Sequence, residues 1–168
     1  NAQAAVDTES MLIVATTMAQ VATDKQQVEP MLDVIAALPA HLGSVEHLLA
    51  DNGYFSAANV EHCVKAKIEP MLAAGRDQHH PHWQDRFTEP APLSEPASAV
   101  DRMKYRLKTI QGRKLYGLRK QTVEPVFGII KSVMGFRQFL LRGLASVRGE
   151  WNLVAMAWNI KRMAVLAG

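Results

Sequence analysis

Residues 45–56, VEHLLADNGYFS, decide the fold class because they join a strand pattern to a helix start through a tight turn. The apolar run at 45–50 predicts a strand, and the tripeptide at 51–53, Asp-Asn-Gly, is turn chemistry. Ser56 is a good helix N-cap, and residues 68–73 are predicted to form the next strand. This order is typical of a mixed α/β fold, and it places Asp51 at the carboxyl end of a strand, where open α/β sheets bind their ligands.

Two strands and a helix are predicted on the N-terminal side of this stretch. Residues 1–6 have strand composition, a polar turn follows, and residues 11–21 are apolar and partly β-branched. Asp24 is a candidate N-cap for a helix in which apolar residues recur at helical spacing as far as Leu38. The first part of the chain is therefore expected to form a sheet with flanking helices.

Helices are predicted for most of the chain on the C-terminal side. Prolines between residues 76 and 98 predict a long loop, so we expect core portions at 1–75 and 99–168 with this loop between them. A basic amphipathic helix over about 97–110 is expected to stop at Gly112, and Thr122 is expected to cap a separate helix. A further helix is predicted over about 144–166.

Charge is distributed unevenly along the chain. Residues 1–100 carry 5 basic and 13 acidic side chains, whereas residues 101–168 carry 14 basic and 3 acidic ones. This asymmetry favours a surface that faces a polyanion, with nucleic acid as the first candidate, and solvated helix faces without a partner are the alternative. No apolar run reaches the length of a membrane span, and the single cysteine, Cys63, excludes an internal disulfide framework.

Two carboxylates stand out in this pattern. Glu124 is an isolated acid in the basic half, in the first turn of the helix expected to start at Thr122, and Lys131 follows seven positions later on nearly the same face. Carboxylates that bind divalent metal beside a cationic surface suit phosphoryl transfer on DNA, and Mg²⁺ takes such ligands. The alternatives are that Asp51 is only a turn residue and that Glu124 only complements a helix dipole.

Several segments resemble bacterial insertion-sequence DDE transposases. Residues 50–56, ADNGYFS, are similar to the motif around their second catalytic aspartate, and residues 116–131, YGLRKQTVEPVFGIIK, to their tyrosine–arginine–glutamate–lysine signature. Residues 1–7, 23–27 and 135–139 are also similar to segments of that family. The resemblance implies an RNase H-like fold, Mg²⁺ with Mn²⁺ as a possible substitute, double-stranded DNA at transposon ends and target as partner, a homo-oligomer on DNA, and a nucleoid-associated location in the bacterial cytoplasm.

Carried onto this sequence, the resemblance makes Asp51 and Glu124 the metal ligands and Lys131 a DNA contact. Tyr116 matches the signature tyrosine, and the signature arginine falls on Lys120 by spacing, with Arg119 one position away. These three residues are expected to contact DNA as well. Arg113 belongs to the basic region at residues 102–113, which is expected to contact phosphates as well.

The first catalytic aspartate of the family lies on a strand that would precede the one at residues 1–6. Asp7 is the nearest substitute in this chain, and it follows that strand. We therefore expect an N-terminally truncated domain, with the first strand missing, that is inactive by itself. A non-catalytic, DNA-binding remnant of a truncated transposase and a metal-dependent nuclease of similar fold remain as alternatives.

Other residues suggest chemistry less specifically. His79, His80 and His82 could bind a transition metal, but they lie in the proline-rich loop without a cysteine partner. Cys63 is expected to be a small core residue. Trp151 and Trp158 lie seven positions apart on one helix face and are expected to pack in the core.

Overall fold

The computed structural model describes residues 1–21, 23–75 and 87–168, and it confirms the mixed α/β class. These residues form two compact units, which are described separately. The hairpin unit comprises residues 1–21, 33–38 and 118–168, and the strand–helix–strand unit comprises the described residues of 23–32 and 39–117. No helix of the described residues is long and apolar enough to cross a membrane.

The hairpin unit is built on two antiparallel strands, β1 (Ala2–Val6) and β2 (Ile13–Met18). Both strands were predicted from their composition. The turn between them is closed by Asp7, whose Oδ2 accepts hydrogen bonds from the backbone N–H of Ser10 at 2.7 Å and from its hydroxyl at 2.5 Å. The carboxylate of Asp7 is thus engaged in turn formation.

The last helix of the chain, α5 (Leu144–Leu166), packs on β2. Trp151 and Trp158 are buried, and their indole N–H groups donate to the backbone oxygens of Gln3 and Met11, at 3.0 and 2.8 Å. The core position predicted for both tryptophans is therefore confirmed, and each one also satisfies a backbone acceptor of the hairpin.

The strand–helix–strand unit follows the order predicted from residues 45–73. Strands β3 (His47–Ala50) and β4 (Glu69–Leu72) are parallel, and helix α2 (Ala57–Lys65) connects them. Ser56 is the N-cap of α2, because its Oγ accepts a hydrogen bond from the N–H of Asn59 at 3.1 Å. The apolar face of the helix packs Val60 against Leu72, and both side chains are fully buried.

Helix α1 (Val28–Ala36) also lies where apolar spacing predicted a helix. The cap predicted at Asp24 is wrong, because Asp24 lies in a separate 3-10 helix, Asp24–Gln26, which is capped by Thr23. The buried residues of α1 recur at positions i, i+3, i+4 and i+7, which is the pattern of one helix face. They are Val28, Met31, Leu32 and Ile35.

The basic helices differ from the prediction at their boundaries. Helix α3 (Ala99–Lys108) is followed at once by α4 (Ile110–Ser132), so neither the stop at Gly112 nor the cap at Thr122 is found. Thr109 starts α4 instead, since its Oγ1 accepts a hydrogen bond from the N–H of Gly112 at 3.0 Å. Thr122 is buried within α4, where its hydroxyl donates to the oxygen of Leu118 at 3.0 Å.

The division at residues 76–98 stays a prediction. The histidines of that loop, at 79, 80 and 82, lie outside the described residues.

Candidate active site

Asp51 lies directly after β3, as predicted, and its side chain organises the turn that follows. It is the N-cap of a short 3-10 helix, Asn52–Tyr54, and its Oδ1 accepts a hydrogen bond from the N–H of Gly53 at 2.8 Å. The residue is exposed. Among the described residues its other oxygen, Oδ2, accepts no hydrogen bond, so a lone-pair face of the carboxylate is open to a ligand.

Hydrogen bonds from several directions hold this turn in the strand–helix–strand unit. The hydroxyl of Tyr116 donates to the oxygen of Ala50 at 3.1 Å, immediately before Asp51. On the other side, the N–H of Gly75 donates to Oδ1 of Asn52 at 3.0 Å. Tyr116, expected as a DNA contact, thus also supports the strand end that carries the aspartate.

Glu124 lies in the middle of α4, rather than in a first helical turn, because the helix begins at Ile110. The helix-dipole explanation for an acid at this position is therefore wrong. The side chain of Glu124 is 59% exposed, and its Oε1 lies 3.6 Å from Nη2 of Arg119, whose side chain is 18% exposed. The arginine adjoining the glutamate in space is thus Arg119.

The exposed face of α4 carries the two lysines of residues 116–131. Lys120, Glu124 and Lys131 are exposed at spacings of four and seven residues, whereas Val126 and Ile130 are buried on the opposite side. The continuous helix thereby places the carboxylate between two cations on one surface of the hairpin unit. Such a surface suits an anionic ligand that approaches the carboxylate.

Arginines of the other basic stretch are tied to their own unit. The guanidinium of Arg113 donates to the backbone oxygen of Thr88 at 3.0 Å and to that of Lys108. Arg106 pairs with Glu69 at 2.9 Å, between Nε and Oε1. Because the structure gives these cations protein partners, their contribution to a ligand surface is smaller than the charge count indicates.

The two other acids of the basic half act on the backbone and on helix caps. Asp101 accepts a hydrogen bond from the hydroxyl of Ser98 at 2.6 Å, and this bond lowers the pKa of the carboxyl group. Glu150 accepts the backbone N–H groups of Leu140 and Leu141. Glu124 has no such role among the described residues, which leaves its carboxylate for another partner.

Divalent cations fit the donor chemistry of Asp51 and Glu124, since exposed carboxylate oxygens are the ligands that Mg²⁺ and Mn²⁺ take. The two residues belong to different units, so each is described only in its own surroundings. Within residues 1–21, 23–75 and 87–168, no group of three His, Cys, Asp or Glu side chains is arranged to hold a metal.

Cys63 occupies the core position predicted for it. Its side chain is fully buried, and burial raises the pKa of the thiol to about 11. A protonated, inaccessible thiol is unsuited to nucleophilic catalysis.

Asn59 is a residue of this region that sequence reasoning missed. It is buried, and its amide contacts the turn that begins at Asp51. A signal was present, because Asn59 is the third residue after the N-cap Ser56, where a side chain reaches back over the start of the helix.

Comparison with known proteins gives one family. Residues 90–164, which include Tyr116, Glu124 and Lys131, match the model of the transposase DDE domain. Neither the curated proteins nor the solved structures provide a match to the chain. The match supports the DDE transposase resemblance without specifying the signature type. Residues 90–164 are therefore similar to the transposase DDE domain over somewhat less than half of the chain.

Proposed function

We propose that the chain is a segment of the catalytic domain of a DDE transposase, which cleaves phosphodiesters and transfers DNA strands in transposition. The observation that carries the proposal is Glu124, an exposed carboxylate between two lysines on α4, inside the segment that matches the transposase DDE domain. An RNase H-like fold is the scaffold that the resemblance implies, and the mixed α/β architecture is compatible with it.

Asp51 and Glu124, each in its own unit, are the residues proposed as ligands of divalent metal, Mg²⁺ or Mn²⁺. Bound there, the metal would supply Lewis-acid stabilisation of charge on the reacting phosphate. The chain itself fixes the carboxylates: Asp51 through the N–H of Gly53, and Glu124 through the guanidinium of Arg119. Both side chains keep oxygen atoms toward solvent, so DNA can approach them without a rearrangement of the core.

Lys120 and Lys131 would bind the DNA backbone next to Glu124. Their exposure and their position on the same helix face support this role, and such contacts make binding sensitive to salt. Arg119 would act in part through Glu124, to which it is paired. Arg113 and Tyr116 would contribute chiefly by holding their unit together, through bonds to backbone oxygens. A homo-oligomer on paired DNA ends and a place at the bacterial nucleoid belong to the same proposal.

A non-catalytic, DNA-binding remnant is the second candidate, and the exposed lysines of α4 support it as well as the first. The carboxylate of Asp7 accepts two hydrogen bonds from Ser10 within the β1–β2 turn, which makes it a poor substitute for the first catalytic aspartate. Asp7 is therefore not assigned as a metal-binding carboxylate. On this alternative the lysine face binds DNA and no cleavage follows.

Cleavage and binding measured on the same variants separate these functions. In the complete protein, we expect Glu124→Gln to reduce Mg²⁺-dependent cleavage of duplex DNA carrying the element ends by about 10³-fold, since a metal ligand contributes several kcal/mol to the transition state. DNA affinity should change by less than about threefold, because the lysines remain. Glu9→Gln, an exposed acid in the same unit, is the matched control with the same charge change.

Each outcome decides between the candidates. Retained cleavage by Glu124→Gln contradicts the assignment of the catalytic glutamate. Wild-type protein that binds the ends and does not cleave them in Mg²⁺ or Mn²⁺ identifies the remnant. Cleavage without joining of the freed 3′ end to a target identifies a nuclease.

A further inference from the structure

The side chain of Asn59 joins two turns of the strand–helix–strand unit. Its Nδ2 donates one hydrogen bond to the oxygen of Lys25 and another to the oxygen of Tyr54, both at 2.7 Å. Tyr54 ends the 3-10 helix that Asp51 caps, and Lys25 belongs to a second 3-10 helix, Asp24–Gln26. Both protons of the amide are thus used to hold one turn against the other.

The surroundings of Asn59 also restrict its side chain. It is 4% exposed, and its backbone N–H donates to Oγ of the N-cap Ser56. A side chain that is buried and bonded twice through its own amide has little rotational freedom. Lys25 and Tyr54 are therefore held at a set separation by a single planar group.

The two turns meet at Gly53, beside the carboxylate of Asp51. A β-carbon built on Gly53 would lie 3.0 Å from Oδ1 of Asp51 and 3.5 Å from Oδ2 of Asp24. Both acids therefore border the same small space, and the spacing of the turns sets how closely their carboxylates approach. A change in that spacing would move the Gly53 N–H and with it Oδ1 of Asp51, which accepts its proton.

We infer that Asn59 is a positioning residue for Asp51, one that orients the carboxylate toward a divalent cation by fixing the turn on which it lies. The inference rests on the proposed function, in which Asp51 holds the metal. Residues that orient metal ligands through hydrogen bonds commonly alter metal affinity by about 10–100-fold when replaced. No contact between Asn59 and the cation is required.

Asn59→Asp tests the inference, because it preserves the shape of the side chain and replaces the two N–H donors by an acceptor. The new acceptor would face the backbone oxygens of Lys25 and Tyr54, and the repulsion between these oxygens would push the two turns apart. In NMR spectra recorded without DNA, Mn²⁺ held by Asp51 would broaden the amide signal of Gly53, whose N–H lies at Oδ1 of Asp51. We expect Asn59→Asp to raise the Mn²⁺ concentration at half-maximal broadening by about tenfold or more. The Mg²⁺ concentration for half-maximal cleavage should rise in parallel, with DNA affinity within about twofold of wild type.

Ser56→Ala is the matched control. It removes the cap of the same helix and thus weakens the same region, while the amide of Asn59 keeps both acceptors. Its Mn²⁺ and Mg²⁺ midpoints should stay within about twofold of wild type. If Asn59→Asp fails to fold, Asn59→Ser removes the donors without adding an opposed charge, and the same shift is expected in a smaller degree.

The outcomes separate this inference from the function on which it rests. Unchanged metal midpoints in Asn59→Asp or Asn59→Ser, or an equal shift in Ser56→Ala, overturn the positioning role. If Asp51→Asn keeps wild-type cleavage, the proposed metal ligand is wrong and the inference falls with it. If Asp51→Asn abolishes cleavage while the Asn59 variants keep wild-type midpoints, the positioning role alone is refuted.

Discussion

Asn159→Asp should destabilise the hairpin unit because it replaces a single hydrogen-bond donor by an acceptor. In the wild type, Oδ1 of Asn159 accepts the N–H of Ile13 and Nδ2 donates to the oxygen of Ile13, each at 2.8 Å. The carboxylate of the variant still accepts the N–H of Ile13, but its other oxygen faces the carbonyl oxygen of Ile13 and has no proton to donate. An unsatisfied, partly buried acceptor costs about 1–3 kcal/mol, and we expect a loss of about 2 kcal/mol at pH 7.

Urea unfolding followed by tryptophan fluorescence measures this loss, because Trp151 and Trp158 lie in the core of the same unit. For a slope of about 2 kcal/mol/M, the midpoint should fall by about 1 M. Asn152→Asp is the control: Oδ1 of Asn152 only accepts a hydrogen bond, from the hydroxyl of Thr16 at 2.8 Å, so a carboxylate can replace it. Equal midpoints for the two variants at pH 7 would refute the reasoning.

The cost of Asn159→Asp should also depend on pH. The carbonyl of Ile13 disfavours the charged form, so the pKa of the introduced carboxyl is expected to rise in the folded state above about 3.9, its unfolded value. Below that value the protonated acid can donate to Ile13, and the stability of the variant should recover. The stability is lost again as pH rises through the folded pKa, whereas the Asn152→Asp control should lack this profile.

Two further predictions concern buried groups. Burial raises the pKa of the Cys63 thiol to about 11. At pH 8 the thiol should therefore react with a disulfide reagent at least about 100-fold more slowly in the native protein than in denaturant. Equal rates in the two states would contradict its burial. Thr122→Val should cost less than about 1 kcal/mol in urea unfolding, because the hydroxyl of Thr122 bonds only back to the oxygens of Leu118 and Arg119 within the helix. A loss near 2 kcal/mol, with lower helicity by circular dichroism, would indicate a capping role instead.

Strands and the first helices could be predicted because their signals are local. β2 and β4 are apolar runs of strand length, and Ser56 caps α2 through its own Oγ. Asp51 could be placed for the same reason, since Asp-Asn-Gly after an apolar run ends a strand almost wherever it occurs. Local chemistry of this kind leaves few alternatives for the backbone.

The break between α3 and α4 could not be predicted, because a glycine can either end a helix or allow another backbone segment to approach closely. A β-carbon on Gly112 would lie 1.8 Å from the backbone oxygen of Arg106, so the glycine permits close approach to the end of α3 rather than a helix stop. Thr122 and Pro125 look like a helix start, yet Thr122 is buried and its hydroxyl bonds to the oxygen of Leu118 in the preceding turn of one continuous helix. Packing decided between conformations that the sequence signals alone left open.

In the candidate site, too, local structure accounts for some residues and not for others, and Glu124 is informative because local structure does not account for it. An acid that caps a helix or bonds to the backbone has a sufficient structural reason to be present, as Asp101 and Glu150 do. Glu124 is more than half exposed, and an ion pair at 3.6 Å with Arg119 at such a site contributes at most about 1 kcal/mol to folding. Since the fold has little use for this carboxylate, its place between two lysines supports the proposal that it binds a cation together with an anionic ligand.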